Sequence, residues 1–228
     1  MNTPLPAWKI WLSYLAEIHL ESISSELNPH LYVSLRRGRY QLSTAKAIYS
    51  FADLYDNFDE AFNSIDLNKI PGQEVLLLGF GLGSIPVLLE KKFQRTFHYT
   101  AVEVDEAVID LASRYTLPGL ASSVELICAD AHTFTLQTES QYDLICMDVF
   151  LDDTVPSPFE ELNFVQQLKQ TLTPGGILLY NRLAVGTKNL EKNKHFFKKT
   201  FLSVFPDGAI VKAQGNWILL NEKSVLKS

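Results

Sequence analysis

From Glu74 onward the hydrophobic positions form short unbroken apolar runs separated by stretches of helical spacing, the pattern of a parallel sheet covered on both faces. The runs predict strands at Glu74 to Leu78, Tyr99 to Val104, Val124 to Cys128, Leu144 to Asp148 and Gly176 to Asn181. Helical spacing between them covers about Ser84 to Lys92, Glu106 to Tyr115, His132 to Thr138 and Pro158 to Leu172. Two last runs, Ala209 to Ala213 and Trp217 to Leu220, flank Gln214-Gly215-Asn216 and predict an antiparallel hairpin. Before Pro71-Gly72 the pattern differs. Trp8, Trp11, Leu12, Leu15, Ile18, Ile23 and Leu27 recur at helical spacing and predict an amphipathic helix stopped by Asn28-Pro29. Leu31 to Leu35 and Tyr40 to Ser43 predict a short hairpin around Gly38, and Ala45 to Phe62 a second helix. The chain therefore divides near Pro71: a helix, β-hairpin and helix over residues 1–70, and a larger α/β domain over residues 71–228.

Composition narrows this picture. At 228 residues, with 46% hydrophobic and 20% charged positions, the chain has the makeup of an ordinary globular domain with one main core. Twenty Lys and Arg against 26 Asp and Glu leave a net charge of −6, which excludes nucleic-acid binding by bulk charge. No run is apolar and long enough to span a membrane, because Val75 to Leu89 is broken by Gly79, Gly81, Gly83 and Pro86, and the start lacks a basic leader. Cys128 and Cys146 lie in strand-like runs and are expected to be buried, reduced thiols of a cytoplasmic protein. The five histidines lack metal-ligand spacing, so no metal is expected.

The chemistry-bearing residues gather at successive strand ends, where open α/β sheets bind ligands. Gly79-Phe80-Gly81-Leu82-Gly83-Ser84 follows the first buried strand and opens a helix, so a ligand can approach the backbone closely. A glycine loop alone also serves as a packing turn, but a dinucleotide fingerprint wants Gly or Ala where Ser84 stands. Glu103 ends the second strand, where a carboxylate can accept from both hydroxyls of a ribose, and Asp105 is better read as a helix N-cap. Asp130 ends the third strand, beside the expected adenine, with a cap as its structural alternative; His132 follows it, at the pocket edge or on a helix surface. Asp148 ends the fourth strand and points into the same crevice as a candidate base. Between Asp148 and Glu161 there are five acids and no Lys or Arg, a field suited to a cationic amine, although Glu160 and Glu161 also suit a helix start. The basic run Lys188 to Lys199 reads as a solvated helix face.

Five parallel strands closed by a hairpin resemble the seven-stranded Rossmann-like fold of class I S-adenosylmethionine-dependent methyltransferases, not a nicotinamide-binding domain, whose last strand is parallel. Val75 to Gly83, Val102 to Asp105, Ala129-Asp130-Ala131, Tyr142 to Ile145 with Asp148, and Leu172 to Gly176 resemble the spermidine synthase branch of that superfamily. The resemblance implies that Gly79, Gly81, Gly83, Glu103, Asp130 and Ala131 hold S-adenosylmethionine or its decarboxylated form, that Gln41 touches the donor's tail, and that Asp148 and Tyr49 face the acceptor. Two departures accompany it. Leu82 stands where spermidine synthases carry the Asp that recognises the aminopropyl end, and Asp148-Val149-Phe150-Leu151-Asp152-Asp153 replaces their Asp-Ser-Ser-Asp-Pro motif, leaving Asp152 or Asp153 to supply the second acid.

The sequence therefore points first to methyl transfer from S-adenosylmethionine to a small acceptor, with Asp148 as base and Tyr49 orienting. The alternative is aminopropyl transfer from the decarboxylated donor to a polyamine or other amine, and a further alternative is a nucleoside-binding module without turnover. A nicotinamide-dependent reductase ranks last. The helix bearing Trp8 and Trp11 is expected to pack on the chain's own sheet, with packing on a second copy, a homodimer, as the other option.

Overall fold

The computed structural model describes residues 5–44, 48–151 and 154–227. The strands of the larger portion are β5 (Glu74–Leu78), β6 (His98–Glu103), β7 (Ser123–Cys128), β8 (Tyr142–Met147), β9 (Leu172–Leu183), β10 (Ala209–Ala213) and β11 (Asn216–Leu220). They form one sheet in the order β10-β11-β9-β8-β5-β6-β7, parallel from β7 to β9 and antiparallel through β11 and β10. This is the α/β methyltransferase-like architecture that the pattern implied. The order reverses direction at β5, and the glycine loop leaves from that switch point, between the ends of β6 and β8.

The sheet is buried on both faces, and β5 shows how. Val75 and Leu77 point into one apolar cluster, with residues of α2 (Asp56–Ser64), α3 (Ser84–Lys91) and α4 (Glu106–Tyr115). Leu76 and Leu78 point into the other, with α6 (Leu162–Thr171), α7 (Gly186–Phe196) and the π turn Phe197–Phe201. The short α5 (Ala131–Gln137) joins this second face through Ala131. The segment from Gly186 to Val204, which the sequence shows only as a basic run, folds as helix and supplies Phe196, Phe201 and Val204 to the core. Its lysines lie outward, Lys192 pairing with Glu160 and Lys194 with Glu191.

The N-terminal portion corrects the sequence reading. The expected helix from Trp8 to Leu27 is only α1 (Ala7–Leu12), and Ile18–Ile23 is a strand, β1, in a four-stranded antiparallel sheet with β2 (Leu31–Arg36), β3 (Arg39–Ser43) and β4 (Ile48–Ser50). A bulge between His19 and Glu21 shifts the β1–β2 register, so the apolar residues fall at 18, 20 and 23 instead of alternating. The helix expected from Ala45 begins only at Asp56, after β4 and a 3₁₀ turn at Ala52–Leu54; residues 45–47 lie outside the described residues. Leu31, Val33 and Leu42 pack in the same cluster as Val75 and Leu77, so the small sheet closes one face of the large one. Glu21 ties its edge to α4, accepting from Arg114 at 2.8 Å and Tyr115 at 2.7 Å. Trp8 and Trp11 do not pack on this sheet: they are 61% and 68% exposed. Cys146 is buried as expected, and burial pushes its thiol up, but Cys128 is exposed at the end of β7. Among the described residues, no helix is long and apolar enough to cross a membrane.

Candidate active site

Strand ends on one side of the sheet and the small N-terminal sheet enclose a cavity of about 810 Å³. Its floor is the glycine loop, where Gly79, Gly81 and Gly83 have φ of +85°, +55° and +75°, backbone that side-chain-bearing residues rarely adopt. A Cβ at Gly79 would lie 2.4 Å from the carbonyl oxygen of Asp148, and one at Gly81 3.3 Å from Ser50. At both positions the missing side chain makes room for the chain's own Asp148 backbone and Ser50. Gly79 and Gly81 line the cavity, whereas Gly83 sits at the N-cap of α3, against the Phe80 ring. The α3 N-terminus is fastened to the small sheet by Ser84, whose Oγ lies 2.6 Å from Ser50 Oγ and accepts the Phe51 N–H at 2.8 Å.

Glu103, at the end of β6, lines the cavity and faces the loop. Its Oε2 accepts the N–H groups of Phe80 and Gly81, both at 3.1 Å, and its Oε1 those of Val104 at 2.9 Å and Asp105 at 3.2 Å. Burial pushes its carboxyl above the ordinary value, and the four amides oppose that shift. Four amides match the lone-pair capacity of a carboxylate. Glu103 therefore braces the glycine loop itself, and a ribose would share its oxygens with these long contacts.

Asp105 caps α4, as expected, through the Ala107 N–H at 3.0 Å; its other oxygen accepts from Ser25 Oγ at 2.5 Å and Asn28 Nδ2 at 2.8 Å. This carboxylate pins the loop between β1 and β2 beside the cavity. Asp130 caps α5 through the Thr133 N–H and hydroxyl, both at 2.8 Å, while lining the cavity next to Ala131. Cap and pocket wall, set as alternatives by the sequence, coincide here. His132 also lines the cavity, its ring stacked on Phe164 at 5.4 Å.

Asp148 sits just past β8, held by side chains from distant elements. Its Oδ2 accepts from Tyr55 Oη at 2.8 Å and its Oδ1 from Asn181 Nδ2 at 2.8 Å; Asn181 Oδ1 accepts in turn from Asn216 Nδ2 at 2.8 Å. Burial raises the Asp148 pKa to about 6; the bonds from Asn181 and Tyr55 pull against it and the charge of Glu103 adds to it. The tyrosine on this acid is therefore Tyr55, which the sequence reading passes over. Tyr49 lines the same cavity but donates to Asn28 Oδ1 at 3.2 Å. Asn181 is also missed from sequence, although a polar residue at the end of the fifth parallel strand follows the rule that singles out Glu103, Asp130 and Asp148. Gln41 is buried in β3 at 3% exposure, outside the cavity lining, with its Oε1 unpaired among the described residues. Asp152 and Asp153 lie outside the described residues. Glu160 is absent from the cavity lining and pairs with Arg182 and Lys192.

The comparisons place the chain by family and by fold. The polyamine aminopropyltransferase of Vibrio vulnificus is 24% identical over 152 residues, 65% of this chain and 50% of that protein. A probable polyamine aminopropyl transferase of Bifidobacterium longum is 26% identical over 60% of this chain, and the chain spans 30% of that protein's length. In fold, a probable spermidine synthase from Corynebacterium glutamicum superposes with a TM-score of 0.71 at 18% identity, covering 89% of this chain and 78% of that one. Human methyltransferase-like protein 13, solved with SAH, superposes at 0.60 and 22% identity, covering 75% and 83%. The spermine/spermidine synthase domain matches residues 58–207, from within α2 to the start of the terminal hairpin, and with well over half of its length so matched the chain belongs to the spermine/spermidine synthase family.

Proposed function

We propose that this protein transfers an aminopropyl group from decarboxylated S-adenosylmethionine to an amine. One observation carries the reading: the described cavity lining includes the carboxylates of Asp56, Glu103, Asp105, Asp130 and Asp148, and no Lys or Arg. Such a cavity favours a donor that presents a sulfonium and an ammonium, and disfavours one with an additional carboxylate. The family and the two aminopropyl transferases point the same way. This reverses the ranking drawn from sequence alone, where Leu82 favours methyl transfer.

The residues present fit such a donor: Gly79 and Gly81 line the cavity with backbone, Glu103 and Asp130 would offer acceptors to a ribose and an adenine amine, and Asp148 lines the same cavity. When bound, the sulfonium supplies an electrophilic carbon and a neutral thioether leaving group. Asp148 takes the proton of the attacking nitrogen, and with a pKa near 6 it is ionised at neutral pH yet basic enough to do so. Tyr55 and Asn181 fix the plane of its carboxylate, leaving its remaining lone pairs for the amine.

Methyl transfer is the second reading, favoured by Leu82, whose side chain is buried at 3% exposure and offers no acid to an aminopropyl group. Calorimetric titration with both donors, followed by turnover with putrescine, separates the two. Aminopropyl transfer predicts that the decarboxylated donor binds at least about tenfold more tightly. Preference for S-adenosylmethionine would sink it.

A further inference from the structure

We infer that Asp56 is the ammonium anchor of this cavity, the carboxylate left free to pair with a cation. The inference rests on the transferase reading above and names the residue that recognises the cation.

Each cavity carboxylate can be assigned by what already holds it. Glu103 accepts four backbone amides, Asp105 a helix amide and two side chains, Asp130 an amide and a hydroxyl, and Asp148 a phenol and a carboxamide. Asp56 alone has no hydrogen bond or ion pair among the described residues. It is exposed, it lines the cavity, and it directly follows Tyr55, whose hydroxyl lies 2.8 Å from the base. Its carboxylate therefore belongs to the same cavity wall that begins with the Tyr55 backbone.

Position 82 explains why such a group is needed. Leu82 packs in the apolar cluster shared with the small sheet and does not line the cavity, so the glycine loop offers no acid to a cation. The Ser50 and Phe51 contacts to Ser84 bring the segment leading to Asp56 against that same loop. The glycine loop thus brings no side-chain carboxylate to the cavity, while an unpaired one stands on the wall that packs against it. A primary ammonium there would gain a charge-assisted hydrogen bond that costs the protein no internal partner. Two ammonium groups can claim it: the donor's aminopropyl end or the distal end of a diamine acceptor.

The test compares the wild type with Asp56→Asn and Asp56→Glu. Calorimetry uses the decarboxylated donor and 5′-methylthioadenosine, which lacks the ammonium; kinetics use putrescine and the equally long monoamine pentylamine. If the ammonium belongs to the donor, Asp56→Asn weakens decarboxylated-donor binding by about tenfold or more while 5′-methylthioadenosine binds as before, and Asp56→Glu recovers part of the loss. If it belongs to the acceptor, donor binding holds, KM for putrescine rises by about tenfold and KM for pentylamine does not. The inference is overturned if Asp56→Asn moves neither donor affinity nor the putrescine KM, or lowers both nucleoside affinities alike. A wild type that binds 5′-methylthioadenosine yet transfers nothing from the decarboxylated donor would instead overturn the transferase reading on which the inference stands.

Discussion

The two halves of the cavity are built in different ways. On the half proposed for the donor, Glu103 is held by four amides of its own strand end and the glycine loop, and Asp130 by the amide and hydroxyl of Thr133. Asp105 adds the Ser25 and Asn28 side chains to its cap amide. On the acceptor half, Asp148 is held by side chains from three remote places: Tyr55 before α2, Asn181 at the end of β9 and, through it, Asn216 at the hairpin turn. Local amides come with the fold and can hold only a fixed group. Remote side chains can be exchanged one at a time, so the acceptor half is where relatives of one fold can diverge in substrate.

The largest test of this contrast is Asp148→Asn. With the base removed and its neighbours intact, turnover should fall by about 10²–10⁴ while donor affinity stays within about twofold, read by steady-state kinetics and calorimetry. A comparable loss of donor binding would show that the halves are not separable. The donor half is broken by Glu103→Gln. A carboxamide cannot accept four amides, so stability should fall by about 1–3 kcal/mol in chemical denaturation, together with a loss of donor affinity of about tenfold.

Tyr55→Phe gives the smallest and sharpest effect. Asp148 must be ionised to accept a proton, so kcat/KM should rise with pH through about 6 in the wild type. The Tyr55 hydrogen bond favours the charged carboxylate, and its loss should move that limb up by about one pH unit. A limb that stays in place would show that the phenol does not bear on the base.

The same contrast explains what can be read from the chain. The donor half is legible because each piece is a short motif whose neighbours in sequence are its neighbours in space: Gly79 to Ser84, Glu103 with Asp105, and Asp130 with Thr133. The parallel strands are legible because Val75 to Leu78 and Leu144 to Met147 are buried on both faces and carry no polar interruption. Ile18–Ile23 reads as helix because the bulge after His19 breaks its alternation, and a half-buried edge strand has no long apolar run to betray it. Tyr55 and Tyr49 cannot be ranked from sequence: both precede α2, and only the path of β4 and the following turn decides which one reaches Asp148. Asn181 is within reach, as a polar residue ending an apolar strand, but a search confined to acids excludes it.

Gly79 carries a consequence of its own. Its Cα faces the Asp148 carbonyl so closely that no side chain fits between them, and the Asp148 N–H donates to the Leu78 carbonyl at 2.8 Å on the same short stretch. In the proposed reaction, the floor that would lie beneath the electrophile and the backbone of the Asp148 base form a single seam. The spacing between the two is built into the main chain before any ligand arrives, and adaptation to a new acceptor has to proceed by reshaping the outer wall while that inner gauge stays fixed.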